Sequence, residues 1–350
     1  LKLENVVLRP YALPLKTPWR AARATLFQRR GALVGVFAEN FAGWGDCAPL
    51  PSSGEPGFAQ ASAALDQAAE NLRGATLDDA FAGLAAVEHA QARWAVETAL
   101  LDLFSREKQQ PLHRALGGAP VGRLPVNAAV GPLDQGCGAR LAAALAEGFR
   151  FVKIKVGVRA WAEELRCLRG LSGLGQARLR LDANRAWSED EAKSFLDGVA
   201  DLPIDAVEEP LARPTLASLR RLQARYAFAL AVDESLFELG PENLFAARAV
   251  RRLVIKPARI GGFGETMRLA RAAGAAGMEA VITSVVDSAI GVAAAAQLAA
   301  AIAPGRAHGL ATGSWLARDV AAPSPLRDGA LILPETPGLG LAPAGEFAQF

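Results

Sequence analysis

Histidine and cysteine are scarce in this chain. Three of each among 350 residues leave little material for a zinc site or a disulfide framework. His89, His113 and His308 have no partner at metal-ligand spacing, and structural roles are expected for all three. Cys47, Cys137 and Cys167 stand far apart with no CxxC pair, which fits reduced thiols in a cytoplasm. No sign of charge dominates: 38 basic against 36 acidic residues give a formal net charge of +2, too little to steer nucleic acid or an anionic membrane. The most apolar stretch, 289–303, is alanine-rich, carries Gln297 and falls short of the roughly 20 residues of a spanning helix, so a core-packed helix is expected there. No secretory leader is expected. Neither a GxGxxG nor a GxxxxGK[ST] loop is present in a nucleotide-binding setting. A small-molecule partner is what remains.

The length suits one large domain carrying a smaller one. The first part reads as α+β, with strand-like runs at 3–8 and 31–39 and a Gly/Pro-rich stretch at 43–57. Helical spacing follows at 58–72 and 87–104, where Ala92, Val96, Ala99 and Leu103 fall on one face, and 111–120 reads as a linker. Beyond Pro120 short apolar runs take over, at 125–130, 151–156, 178–182, 205–208, 227–233, 252–256, 279–284 and 307–312. They recur at about 25 residues, the length of a strand plus a crossover helix, and eight are enough to close a barrel. Segments 139–147, 189–199, 216–225, 265–276 and 292–301 have helix-forming composition. The economical reading is an α/β chain: an α+β capping domain at 1–120, a (β/α)8-like barrel at 121–322, and a tail at 323–350 that returns to the first domain. A doubly wound open sheet alternates in the same way and stays open on periodicity alone.

Ionisable residues recur at the ends of successive runs: Lys153 and Lys155, Asp182, Glu208, Asp233 and Lys256. Barrel active sites lie at the C-terminal ends of the strands, so these residues would meet at one mouth. Strand alternation puts Lys153 and Lys155 on the same face. Three converging carboxylates repel one another, and a hard divalent ion relieves this, so Mg²⁺ is the expected cofactor, with Mn²⁺ also fitting. A proton beside a carboxylate yields only if the charge that forms is stabilised, and a lysine base must be neutral to take it. Any one such residue is more often solvated or ion-paired; five successive runs that end this way argue for a site. Glu209 falls on the opposite face, behind the others or solvated. Asn184 reads equally as a support or a turn residue. Gly261-Gly262-Phe263-Gly264 suggests a phosphate cradle, though such a turn is more often geometry.

Lys153-Ile-Lys155, Leu181-Asp182-Ala-Asn184, Glu208-Glu-Pro210, Val232-Asp233-Glu-Ser235 and Lys256-Pro257 with Gly261-Gly262, in this order and spacing, resemble the enolase superfamily in its muconate-lactonising subgroup. The resemblance covers essentially the whole chain and implies a modified (β/α)7β TIM-like barrel with an α+β capping domain built from both chain ends. It implies Asp182, Glu208 and Asp233 as metal ligands and Lys155 and Lys256 on opposite sides of a carboxylate substrate. Within the subgroup the o-succinylbenzoate synthase family is the most similar, from Pro14-Leu15 through Arg30-Gly31, Gly45-Asp46-Cys47-Ala48-Pro49-Leu50-Pro51, and His308-Gly-Leu-Ala-Thr312 with Trp315 and Asp319. The chain departs from that pattern at Asp46-Cys47 and at Ser52-Ser53-Gly54, which bears on substrate choice rather than on the chemistry. The resemblance further implies a syn dehydration with Lys155 as base, Lys256 as an electrostatic partner, Arg180 orienting the site, and Thr283, Ser284 and Gly313 binding substrate, while Lys153 beside Lys155 is expected to bind substrate or support the residues that do.

An N-acylamino-acid racemase uses the same two lysines and stays open. A dipeptide epimerase is disfavoured, because 310–312 offers Leu, Ala and Thr where an Asp-x-Asp is typical of that family. A Schiff-base aldolase with Lys155 or Lys256 as nucleophile leaves three aligned carboxylates unexplained. A binding module without catalysis predicts that Lys155→Ala changes nothing measurable. The oligomeric state is not legible.

Overall fold

The computed structural model describes residues 1–20, 25–50 and 57–348. Residues 21–24, Pro51, the Ser52-Ser53-Gly54 segment and the last two positions of the tail lie outside the described residues. The chain opens as an antiparallel meander of β1 (Asn5–Arg20), β2 (Thr25–Ala38) and β3 (Phe41–Cys47). Helices α1 (Phe58–Leu72), α2 (Leu77–Ala82) and α3 (Ala90–Glu107) and the short α4 (Leu112–Ala115) follow. The Gly/Pro-rich stretch expected at 43–57 therefore begins as strand, and the reason is packing. A Cβ at Gly43 would lie 2.0 Å from the Ala99 carbonyl oxygen, and one at Gly45 would lie 1.9 Å from that of Ala95. These glycines mark where β3 lies flush on α3, which composition alone does not separate from a turn.

The barrel follows with β4 (Arg123–Pro125), β5 (Ala128–Pro132), β6 (Phe151–Lys155), β7 (Arg178–Asp182), β8 (Ile204–Glu208), β9 (Ala229–Val232), β10 (Arg252–Ile255) and β11 (Glu279–Ile282), then β12 (Leu326–Arg327) and β13 (Ala330–Ile332) in the tail. Between the strands run α5 (Cys137–Ala146), α6 (Trp161–Arg169), α7 (Glu189–Val199), α8 (Leu216–Gln223), α9 (Ser235–Leu239), α10 (Pro241–Ala247), α11 (Pro257–Ile260), α12 (Phe263–Ala275) and α13 (Ala289–Ile302). Strands β5 to β11 are parallel and adjacent in chain order without reversal, which removes the doubly wound alternative. Closure comes from the eighth run. The His308 N–H donates to Pro125 O at 2.9 Å and the Asn127 N–H to His308 O at 2.9 Å, on one side. On the other, the Gly309 N–H donates to Ile282 O at 2.9 Å and the Ser284 N–H to Gly309 O at 3.2 Å. Residues 308 and 309 thus bridge β11 back to the start of the barrel, and the observed architecture is the expected barrel with a cap.

Helix starts follow local chemistry. Ser188 and Glu191 form a reciprocal capping box on α7, and Thr215 and Ser218 form another on α8. The alanine-rich stretch is α13, buried from Ala289 through Ala300, with small side chains because it lies between barrel and cap. Its apolar neighbours at that junction include Trp44, Trp94, Phe263 and Leu316, and Trp94 stacks on Phe263 at 4.6 Å between centroids. Such a pair contributes about 1 kcal/mol beyond its buried area. The Gly261–Gly264 turn belongs to the same junction. Glu97 of α3 accepts from the N–H groups of Phe263 (2.7 Å) and Gly264 (3.1 Å), so a carboxylate of the cap takes the place of a bound anion. A Cβ at Gly262 would lie 2.2 Å from that carboxylate. In the tail, β13 pairs with β4, and the N–H of Leu339 donates to Asp102 of α3 at 2.7 Å.

The N-terminal half of the barrel interior is filled by ions. Asp205 pairs with Arg180 (2.8 Å) and Arg252 (2.5 Å), and Glu279 pairs with Arg252 (2.6 Å) and Arg306 (2.5 Å). This plug leaves the C-terminal rim as the open end. Among the described residues no helix is long and apolar enough to cross a membrane.

Candidate active site

Register brings the candidate residues to one rim. Lys155 at the end of β6 is the pairing partner of Asp182 at the end of β7, and Asp182 is the partner of Glu208 at the end of β8. Asp233 and Lys256 each follow directly after the last residue of β9 and β10. Five adjacent strands therefore deliver three carboxylates and two amines to the same level, because each run ends on its ionisable residue.

Lys153 starts one layer lower and reaches up. Its Nζ lies 2.8 Å from Asp182 Oδ2 and 2.8 Å from Glu208 Oε2. Burial works against this ammonium, but the two carboxylates outweigh it and hold the Lys153 pKa above the usual lysine range. Lys256 is half-buried and is likewise held above its ordinary value by Asp233, which its Nζ contacts, and by Glu234, against the cost of desolvation. In both side chains the neighbouring carboxylates, not burial, decide the sign. Lys155 differs from both, since its ammonium makes no hydrogen bond or ion pair among the described residues.

The carboxylates carry the opposite stress. Burial, then the charges of Asp182 and Asp233, push Glu208 up to about 8 against the relief from Lys153. Glu234 is raised by burial and by Asp233, and its Oε2 is buried without a hydrogen-bond partner among the described residues. An all-oxygen donor set that gathers this many carboxylates is what a hard divalent cation suits. The fit is one of charge, donor chemistry and rim position. The carboxylates face ammonium groups, and no three His, Cys, Asp or Glu side chains among the described residues are grouped so as to hold a metal ion.

Two residues the sequence left undecided hold this rim in place. Glu209 is buried, with a left-handed φ of 46° that turns the chain after Glu208. Its Oε1 accepts from the N–H groups of Asp233 (2.7 Å) and Ser235 (2.8 Å), and its Oε2 accepts from the Ser235 hydroxyl. It positions Asp233, and burial lifts it to about 7. Asn184 is left-handed as well, and its N–H donates to Asp182 Oδ1 at 3.1 Å, while its side chain is exposed. Neither role has a signal in composition, since both depend on a positive φ at a strand end.

The expected substrate contacts divide. The Ser284 and Thr312 hydroxyls meet at 2.7 Å, Thr283 Oγ1 donates to Gly309 O at 3.1 Å, and Gly313 opens a short turn beside them. Arg180 is not brought to the rim. It shares the Asp182 face but lies lower, with Nη1 donating to Asn127 Oδ1 (3.0 Å) and Ala307 O (2.8 Å) within the ionic plug.

With this geometry in hand, comparison with known proteins gives consistent relatives. Residues 137–347 match the family described as "Enolase C-terminal domain-like". A chloromuconate cycloisomerase of Pseudomonas putida is 31% identical over 257 residues, 71% of this chain and 70% of that protein. An o-succinylbenzoate synthase of Pasteurella multocida is 28% identical over 315 residues, 87% of this chain and 88% of the other. A dipeptide epimerase from Enterococcus faecalis V583, solved in complex with Mg and the dipeptide L-Leu-L-Tyr, is 25% identical with a TM-score of 0.86, covering 98% of this chain and 100% of that one. A barrel closed around a rim of carboxylates and lysines, under an antiparallel cap, belongs in this chain to the enolase superfamily. Its relatives are those of the muconate-lactonising subgroup.

Proposed function

We propose that this enzyme is a Mg²⁺-dependent dehydratase of the o-succinylbenzoate synthase kind, acting in menaquinone biosynthesis on 2-succinyl-6-hydroxy-2,4-cyclohexadiene-1-carboxylate. The observation that carries the reading is the pairing of two amines across one carboxylate-lined rim: Lys155 without a partner among the described residues, and Lys256 held against Asp233. Asp182, Glu208 and Asp233 would hold a divalent cation, Mg²⁺ or Mn²⁺, which when bound supplies the positive charge that makes a proton beside a carboxylate removable. A lysine base fits the general pattern of enolase-superfamily sites.

In this reading Lys155 takes the proton beside the substrate carboxylate. As an ammonium it then gives that proton to the hydroxyl leaving from the same face, so that water departs, the ring becomes aromatic and Lys155 returns to the amine. Lys256, kept charged by Asp233, faces the negative charge that develops in between. Lys153 holds Asp182 and Glu208 apart from one another's charge. Thr283, Ser284 and Gly313 contact the succinyl end, and the capping domain at 1–120, barrel at 121–322 and tail at 323–350 are the units that enclose it. Three free cysteines are in keeping with a cytoplasmic setting.

A second reading, N-acylamino-acid racemisation, is favoured by the same pair of lysines on separate strands, since each serves one face of the proton-bearing carbon. Turnover of the cyclohexadiene carboxylate, followed by ultraviolet absorbance, is compared with deuterium exchange into N-succinyl amino acids and with lactonisation of a muconate. The proposal expects dehydration that stops in EDTA, returns with Mg²⁺, and shows no borohydride trapping of substrate. Exchange or lactonisation without dehydration would overturn it in favour of the racemase or the cycloisomerase, and trapping would favour an aldolase.

A further inference from the structure

Val286 is the β-branched residue with a left-handed backbone among the described residues, at φ 63°. That conformation crowds a branched side chain and persists where its surroundings impose it. The surroundings are the capping domain. Arg29 of β2 is 2% exposed and donates from Nε to the Val286 carbonyl at 3.1 Å, from Nη1 to Pro49 O at 3.0 Å, and from Nη2 to Ala48 O. Beside it, Asp46 of β3 accepts from the Ser288 N–H (3.1 Å) and hydroxyl (2.8 Å) on one oxygen and from the Tyr11 hydroxyl (2.6 Å) on the other. The cap therefore grips residues 283–288 at the strained turn and at the end. This segment leaves β11 at the rim, where Thr283, Val285 and Asp287 border the same close-packed space as Lys256.

We infer that Arg29 is a positioning residue that holds Val286 in its left-handed conformation and so fixes segment 283–288 as a wall of the substrate side of the rim. Substrate affinity is then set in part by a cap residue that does not touch substrate. The inference rests on the proposed function in taking this rim as the substrate site. A guanidinium that merely braces the fold is not replaced by any change at Val286. One that holds a strained turn becomes dispensable once the strain is gone, because glycine adopts this φ freely.

The test compares Arg29→Met, Arg29→Lys, Val286→Gly and the Arg29→Met/Val286→Gly double variant. Arg29→Lys keeps the charge but lacks the fork that spans three carbonyls, and it serves if Arg29→Met does not fold. The readouts are kcat and KM on the substrate turned over, and amide hydrogen exchange across 283–288, which needs no substrate. Loss of Arg29 is expected to raise KM about tenfold with kcat within about threefold, and to speed exchange of 283–288 about tenfold relative to the barrel strands. The double variant is expected to return to within about threefold of Val286→Gly. Unchanged exchange in both Arg29 variants, a fall in kcat at constant KM, or no recovery in the double variant would overturn the inference. If wild-type protein turns over none of the substrates, the proposed function fails while the exchange measurement still judges Arg29.

Discussion

Titrating His308 reports on barrel closure. This side chain sits fully buried in the stave that joins the last strand to the first, where its Nδ1 accepts the Ile282 N–H at 3.0 Å and its Nε2 faces Ala303 O at 3.0 Å. Nδ1 as acceptor fixes the neutral tautomer with the proton on Nε2. Protonating Nδ1 would break the Ile282 bond and place a cation, cut off from water, near Arg180 and Arg306. Burial, opposed by the Ala303 carbonyl and reinforced by those two arginines, lowers the His308 pKa to about 4 from 6.5. The folded-state value is depressed, so the unfolded chain binds the proton more readily. The contribution is complete above pH 6.5 and is lost as pH falls towards 4. Between pH 7.5 and 4.5 the linkage amounts to about 2.5 kcal/mol. Urea unfolding of wild type and His308→Gln across this range isolates the effect, because the carboxylates titrate alike in both. The variant is less stable at pH 7.5, and its loss of stability down to pH 4.5 should be smaller by about 2.5 kcal/mol. Parallel curves would show that the imidazole is not held neutral, and the reasoning from burial would fail.

Lys155→Ala should cut turnover by about 10³ or more while moving the melting temperature by no more than about 2 °C, since the ammonium it removes has no partner among the described residues. Calorimetric titration with Mg²⁺ should show Glu209→Gln weakening metal affinity by about tenfold, because the amide cannot accept from both backbone N–H groups and the Ser235 hydroxyl as the carboxylate does. Unaltered affinity there would remove Glu209 from the support of Asp233. In Gly45→Ala the new methyl has nowhere to go against the Ala95 carbonyl, and chemical denaturation should register a loss of about 3 kcal/mol as β3 lifts from α3.

The strand-ending residues Lys155, Asp182 and Glu208 were legible because a barrel makes one rim of all its strand ends, so a one-dimensional recurrence becomes a circle. The α13 stretch was legible for a similar reason: apolar length without a spanning window leaves a buried helix. What the linear pattern obscured is where the backbone departs from the common conformations or where two elements touch. Gly43 and Gly45 read as turn material and are a strand pressed onto a helix. Gly261 to Gly264 read as a candidate anion cradle, and Glu97, some 160 positions earlier, takes those N–H groups. Arg180 shares a face with Asp182, as alternation required, yet depth along the barrel axis placed it in an ionic plug. Period-2 reasoning gives the face of a strand and not the layer.

Composition and periodicity by themselves determined an α/β chain of alternating strands and helices and the ionisable residue types at its strand ends, because these follow from strand length, alternation and the position of each charge relative to a run's end; strand order, read from the structure, decided for a barrel over an open doubly wound sheet. Only the tertiary structure decided which ammonium each carboxylate faces, which glutamate supports the rim rather than lining it, and that Arg29 reaches a left-handed Val286 at 3.1 Å. Those outcomes depend on contacts between residues up to 257 positions apart and on positive φ angles, and neither is encoded in the local order of residue types.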